Sequence, residues 1–524
     1  MPDAPRSRRG RREAPEGRAV QALGDSIVLA VVSGVLLAFS FPKFGHPLVA
    51  WVALTPLLLA LCAGPLRRAF WLGLLTGVVY FTGTLYWITR VMVVYGGVAT
   101  WMAVPINAAL IAYLALFPAL FALIVRRLIV AHGDNALLVV PFVWAATELG
   151  RTQLFTGFPW VLLGYSQVKV LAVAQLASLF GVYGVSMLVA AVSAALALAL
   201  RRRYLPIGVT LAIVLLVTVW GHRRVAANEL TRAGDPIRVG MIQGNVDQGI
   251  KWQPALANQI FENYLALTRQ AIGEGAQLVL WPESSTPFMY EEDPFGASRL
   301  RALVQQAHVS LLFGSDQIVW KTLGGRRVPE QYFNSAFMLR PNGSTAGVYR
   351  KMHLVPFGEY VPLQKLLFFA APLTEEVGTF SPGVTAELLP VDGHPTSVAI
   401  CYEVVYPALV REFVRGGSQL LTTITNDAWF GATSAPYQHF EQASMRAIEE
   451  GRYLVRAANT GISGIVDPYG RVAEESAIFQ PAVLVGDVRF LTDRTLYAQQ
   501  GDVLVYASVL LTAVLLAMSR RRVQ

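Results

Sequence analysis

Cys401, Glu283 and Lys351 are the residues of this chain best suited to covalent chemistry. Cys401 is one of two cysteines and sits in Ser-Val-Ala-Ile-Cys-Tyr-Glu; Glu283 closes Leu-Val-Leu-Trp-Pro-Glu; Lys351 lies in Tyr-Arg-Lys-Met-His. A thiol, a carboxylate and an ammonium, each beside a strand-like segment, are the parts of an acyl transfer that passes through a covalent intermediate. A thiol at a strand-to-helix turn faces the positive end of the helix dipole, which predicts a pKa below the usual value of about 8.5. A carboxylate delivered against the Trp281 indole loses solvent, which predicts a raised pKa and a competent base at Glu283. Taken singly, each residue has a plainer reading: a buried structural thiol, a turn carboxylate, a solvated cation beside Arg350.

The elements that would position these groups are strands alternating with helices. Between residues 235 and 490, strand-like runs at 237–243, 277–281, 310–314, 397–400, 419–425 and 453–458 are separated by helical stretches, an α/β layered pattern. Loops at the strand ends are where open α/β sheets bind ligands, and all three residues fall there.

The remainder of the chain reads as a membrane protein. Hydrophobic residues make up 54% and charged residues 15% of the 524. Apolar runs approaching a span occur near 25–41, 48–63, 69–88, 100–125, 136–150, 173–200, 204–220 and 502–519, which predicts about eight helices. Two of these runs are short, and Pro105 and Pro118 interrupt a third, so seven or nine stay open. The expected organisation is a basic N-terminal segment over 1–24, a transmembrane helical domain of about seven spans over 25–220, a catalytic domain over 225–498 and a last span over 502–519. Arginines cluster at 6–18, 67–68, 126–127, 201–203 and 520–522, all on one side of an eight-span arrangement. Basic residues beside spans stay cytoplasmic, so both termini are expected there and the catalytic domain on the opposite face, which in a bacterium is the periplasmic or outer face of the inner membrane. The formal charge of +9 is then a topology signal, and no nucleic-acid partner is expected. Scattered histidines and the absence of phosphate-loop or dinucleotide motifs lead us to expect no metal and no cofactor. Cys62 reads as a span residue, not a disulfide partner of Cys401.

Trp-Pro-Glu283, Tyr-x-Lys351-x-His-x-x-Pro-Phe-Gly-Glu359 and Cys401-Tyr-Glu, in this order, resemble the Glu-Lys-Cys triad of the nitrilase superfamily. That resemblance implies a four-layer αββα sandwich. Leu-Val-Pro-Phe-Gly-Glu-Tyr-Val-Pro, Asn426-Asp427-Ala428-Trp429-Phe430-Gly431, Gln438-His439, Arg452 to Gly461, and Gly157-Phe158-Pro159-Trp160 are similar more particularly to the apolipoprotein N-acyltransferase family. The resemblance implies a phospholipid acyl donor, a Cys401 thioester, and a diacylglyceryl apolipoprotein acceptor whose α-amino group takes the acyl chain. It implies Glu283 as base and proton shuttle, Lys351 as oxyanion partner and Glu359 as the group that holds Lys351. Trp252, Tyr402, Glu403 and Trp429 resemble substrate-contacting positions, although core packing accounts for the tryptophans equally well. The apolar run containing Leu366, Leu367, Phe368 and Phe369 is expected to dip into the lipid bilayer as an arm. The rival reading is a membrane-tethered carbon-nitrogen hydrolase, an amidase or nitrilase that ends the same cycle with water.

Overall fold

The computed structural model describes residues 15–356, 358–360 and 380–521. Its catalytic part is built from two six-stranded sheets. The first is ordered β12-β1-β2-β3-β4-β5 and the second β11-β10-β9-β8-β7-β6. The strands are β1 (Asp235–Gln243), β2 (Leu278–Leu280), β3 (Ser310–Leu323), β4 (Arg326–Leu339), β5 (Thr345–Arg350), β6 (Leu389–Val391), β7 (His394–Ile400), β8 (Leu420–Thr425), β9 (Leu454–Ala458), β10 (Gly464–Val466), β11 (Val472–Glu475) and β12 (Ala482–Phe490). Each sheet has a parallel centre, β1-β2-β3 in one and β7-β8-β9 in the other, with antiparallel strands outside it.

Strand periodicity explains the layering. Successive side chains point to opposite faces, so a strand covered on both sides must be apolar throughout. Leu280, Leu312, Ala336 and Met338 face the second sheet and share a core with Val398, Ile400, Ile424 and Val455. Their neighbours Val279, Trp281, Leu311, Phe313 and Phe337 point the other way, onto the helices Pro254–Gly273 and Pro294–Ala307 through Phe261, Tyr264, Leu300 and Val304. Helices Pro407–Arg415 and Ala435–Glu450 cover the outer face of the second sheet. The result is the αββα sandwich expected from the sequence.

Among the described residues, four helical stretches are long and apolar enough to cross a membrane: Thr100–Thr156, Ala177–Leu200, Leu205–Ala227 and Val503–Arg520. A fifth is obtained if Leu66–Leu85 and Trp87–Val94, bent by 50°, form one span. Gly24–Ala38 and Pro47–Leu61 are shorter apolar helices. The sequence runs at 100–125 and 136–150 fall in the single 57-residue stretch, where a turn at Gly133–Val139 joins helix Thr100–His132 to helix Val140–Gln153. Pro105 and Pro118 lie inside the first of these helices without ending it. In an apolar bundle, neighbouring helices and local backbone adjustment re-satisfy the groups a proline frees.

The two parts are joined by buried polar contacts. Gln438 on the helix Ala435–Glu450 accepts from Trp160 Nε1 at 2.7 Å and donates to the carbonyls of Pro42 and Thr84. One helix of the bundle breaks at Gly181, whose φ is 65°, and the Val182 N–H freed there donates to Glu449 at 2.8 Å.

Candidate active site

The site forms where strand ends of both sheets meet. β2, the short central strand of the first sheet, ends in Trp281-Pro282 and delivers Glu283. Trp281 is anchored twice, by its N–H to the Leu312 carbonyl and its indole N–H to Thr268, both at 2.8 Å. Behind Glu283, β3 carries Gly314, where a Cβ atom would lie 2.4 Å from the Ser284 nitrogen. Only glycine lets the strand approach Glu283 this closely.

Glu283 is held from three elements. Its Oε1 accepts from Asn334 Nδ2 on β4 at 2.8 Å and from Lys351 Nζ at 3.2 Å, and its Oε2 accepts from the Asn426 N–H beyond β8 at 2.9 Å. Lys351 follows β5, is 1% exposed, and donates to Glu359 Oε1 at 2.8 Å as well. Glu359 also accepts from Asn334 and from the Val355 N–H. One ammonium thus sits between two buried carboxylates, bridged by an amide. Truncating one partner of such a buried ion pair costs about 3–5 kcal/mol.

Cys401 follows β7 in a left-handed conformation, φ 53°. Non-glycine residues held this way cost about 1–3 kcal/mol and persist only where their surroundings fix them. Here Glu403 does much of the fixing. Its Oε2 accepts from the Ile400 N–H, and its Oε1 accepts from the N–H groups of Met352 and His353 and from the Tyr349 hydroxyl. One fully buried carboxylate therefore ties the thiol's turn to the segment carrying Lys351. The Cys401 carbonyl accepts from His439 Nε2 at 3.2 Å. The other ring nitrogen, Nδ1, lies 3.0 Å from Asp427 Oδ1 and 3.0 Å from Arg456 Nη2, which also donates to Asp427 Oδ2 at 2.8 Å. Burial and the adjacent Arg456 cation push the His439 pKa down, against the opposing pull of the Asp427 carboxylate.

Two sequence expectations about acidity are corrected. Burial pushes the Cys401 thiol up, and the Glu283 carboxylate adds to this. The turn that follows is a five-residue 3₁₀ segment, Cys401–Val405, not a helix with a useful dipole. Burial alone would raise Glu283, but Lys351, the Asn334 hydrogen bond and Lys251 outweigh it and leave the carboxyl below the usual range. Burial pulls the Lys351 ammonium down, and Glu283 and Glu359 more than reverse this, placing it well above the usual lysine range. The resting state is thus a thiol beside a carboxylate and an ammonium.

Of the proposed substrate contacts, Tyr402 is buried, its ring stacked 6.3 Å from Trp160. Glu403 is saturated by the donors above. Trp429 packs edge-on to Tyr95, and Trp252 stays half-exposed beside Lys251. Leu366, Leu367, Phe368 and Phe369 lie outside the described residues. Asn334 was not singled out in sequence; its signal is a lone amide in the apolar strand Phe333-Asn334-Ser335-Ala336-Phe337. His439, Asp427 and Arg456 fall within the family-like motifs, whose resemblance assigns them no role.

A four-layer sandwich whose strand ends enclose a thiol, two carboxylates and an ammonium, set on apolar helices, defines a nitrilase-type domain joined to a membrane-type bundle. Residues 238–493 match the family described as carbon-nitrogen hydrolase. Residues 33–195 match the apolipoprotein N-acyltransferase N-terminal domain. The apolipoprotein N-acyltransferase of Geobacter metallireducens is 42% identical over 94% of this chain and 95% of its own. That of Methylococcus capsulatus is 37% identical over 91% of this chain and 93% of its own. A crystal structure of an amidase from Nesterenkonia sp. is 24% identical over 51% of this chain and 94% of its own, with a TM-score of 0.37. The chain belongs to the apolipoprotein N-acyltransferase family.

Proposed function

We propose that this chain N-acylates the N-terminal S-diacylglyceryl cysteine of apolipoproteins, taking the acyl group from a phospholipid through a thioester on Cys401. Glu283 takes the thiol proton as sulfur attacks the ester carbonyl. Lys351 Nζ donates to the oxyanion that develops, an interaction worth most in a water-poor site. The intermediate collapses, the C–O bond breaks, and Glu283 returns the proton to the departing lysophospholipid oxygen. The acceptor amine then attacks the thioester, Glu283 takes its proton, and the thiol is restored as the amide forms.

The single observation that carries this reading is the shared node in which Glu283 and Glu359 flank Lys351 while Glu403 ties that segment to Cys401. A cavity of about 300 Å³ is lined by Thr156, Met352, His353, Leu354, Tyr360, Phe380 and Pro382, and so borders the segment that follows Lys351. Its mostly apolar wall, shared between the catalytic domain and the bundle, suits an acyl chain. Glu403 is a positioning residue in this scheme, because its oxygens are already occupied. We read the helices as eight spans, counting the two short helices, the bent pair and two passes within Thr100–Thr156. Both termini are then cytoplasmic and the catalytic domain lies on the outer face of the inner membrane, in line with the arginine clusters.

Incubating the chain with phospholipid and a diacylated lipopeptide should yield lysophospholipid, a triacylated peptide and an acyl adduct on Cys401 by mass spectrometry. Cys401→Ala should yield none of these. Release of free fatty acid alone, or an unmodified Cys401 after turnover, would overturn the scheme.

A further inference from the structure

Lys251 is a second ammonium at this site, and the chemistry above gives it no role. Its side chain is almost wholly enclosed, at 5% exposure, and its Nζ has as hydrogen-bond partner the main-chain carbonyl of Glu283, at 3.5 Å. The Trp252 ring lies 5.3 Å from it. A cation stripped of water needs compensating charge nearby, and here that charge is the Glu283 carboxylate together with Asp316 on β3. Asp316 itself accepts from the Ser284 hydroxyl, one residue after the base. Lys251 therefore faces the base from its main-chain side, whereas Lys351 and Asn334 face it at the carboxylate.

The loop that carries Lys251 is firmly set. Asn459 accepts from the N–H groups of Asn245 and Val246 and donates to the Val246 carbonyl. Asn426, whose N–H holds Glu283 Oε2, donates through its side chain to Gln248. The ammonium and the base are thus referenced to the same two asparagines.

The need for a second cation follows from what Lys351 already does: its ammonium serves two buried carboxylates. At rest, before the thiol proton moves, Glu283 and Glu359 share that one ammonium, and their two negative charges exceed what it offsets. We propose that Lys251 is a positioning residue of the acyl-transfer site, a second buried cation that keeps Glu283 ionised at rest, ready to take the thiol proton, while Lys351 is shared with Glu359. The proposal rests on the reading of Glu283 as the base. Burial pulls the Lys251 pKa down while Asp316 and Glu283 support its charged form, and Lys251 is among the groups that hold Glu283 below the usual carboxyl range.

The test is the pH dependence of Cys401 alkylation by iodoacetamide, measured on the full chain in detergent. In the wild type the rate stays flat down to about pH 5, because the base ionises below the usual value of about 4.3. Lys251→Gln keeps a donor to the Glu283 carbonyl and removes the charge. It should bring the acid fall-off up by about one pH unit, the effect of losing a nearby opposite charge. Lys251→Arg should restore the wild-type profile. Lys251→Met gives the same shift by loss of charge and stands in if the Gln variant is not recovered folded. A fall-off for the neutral variants that overlies the wild type, even at a lower plateau, would reduce Lys251 to a structural residue and overturn the proposal, as would an Arg variant that shifts like Gln. Glu283→Gln should remove the fall-off altogether. If the fall-off survives there, the assignment of the base fails instead.

Discussion

A thiol that burial keeps protonated faces a carboxylate that an ammonium keeps ionised, so the proton between them lies with sulfur until the substrate arrives. Thiolate is scarce at rest, and proton transfer has to accompany attack. In the proposed scheme this arrangement makes the rate depend on how well Glu283 is held. Asn334 is central to that hold, since one amide donates to both Glu283 and Glu359. Hydrogen bonds to charged groups contribute about 1.5–3 kcal/mol each. Asn334→Leu is therefore expected to slow adduct formation on Cys401 by about 10- to 100-fold, and a rate near wild type would remove Asn334 from the account. His353, adjoining Lys351, carries a pH signature. Burial and the Lys351 cation lower its pKa to about 4, with its ring packed on Tyr406. A histidine whose folded pKa is depressed contributes stability that is fully present above its unfolded pKa of about 6.5 and is lost as pH falls toward about 4. Thermal midpoints of the detergent-solubilised chain should fall more steeply across that window for the wild type than for His353→Gln; parallel curves would show that His353 does not titrate there.

At the scale of elements, the parallel centres β1-β2-β3 and β7-β8-β9 were legible because their apolar runs are spaced by helices, whereas the αββα layering came from the family resemblance and the antiparallel outer strands, partly exposed, gave no such signal. Leu278 to Trp281 alternates between the inter-sheet core and the helix layer, as a doubly covered strand must. Glu283 and Cys401 could be named because each follows such a strand, whereas Lys351 follows the partly exposed edge strand β5 and stands out only through its motif. What stayed hidden depends on partners distant in sequence. The acidity of Cys401 is set by enclosure and by Glu283, not by a local dipole. Glu403 reads as a substrate contact in sequence, yet four donors from two segments occupy it. Run-by-run hydropathy counts eight spans where helix length and apolarity single out four, or five with the bent pair, because several apolar helices are short and one turn is helical. Gly314 shows how an element constrains the chemistry. A methyl group there would meet Ser284 N at 2.4 Å and Pro282 O at 2.7 Å, both main-chain atoms that cannot swing aside. Gly314→Ala should leave the sheets folded but displace the base, and misplacement by about 1 Å can cost about 100-fold in rate. Unchanged adduct kinetics in a folded Gly314→Ala chain would mean that β3 does not set the position of Glu283.

Across the whole molecule, the helix Ala435–Glu450 links the bundle to the reacting sulfur through two adjacent residues. Gln438 reaches into the bundle, to Trp160, Pro42 and Thr84, while His439 turns to the Cys401 carbonyl. Trp160 completes the path, since its ring lies 5.5 Å from His439 and 6.3 Å from Tyr402. Its loop is pinned by the buried Arg151, which donates to the carbonyls of Phe158 and Trp160. The bundle is therefore part of the wall that fixes the nucleophile. Gln438→Leu would orphan a buried indole N–H and two carbonyls, each at a cost of about 1–3 kcal/mol. The variant should lower the thermal midpoint and slow Cys401 adduct formation together. Arg238→Ala, which removes a surface ion pair with Asp487, serves as the control and should change stability by less than about 1 kcal/mol. If Gln438→Leu lost stability while forming the adduct at the wild-type rate, the bundle would be an anchor alone, and the geometry of Cys401 would be set entirely within the catalytic domain.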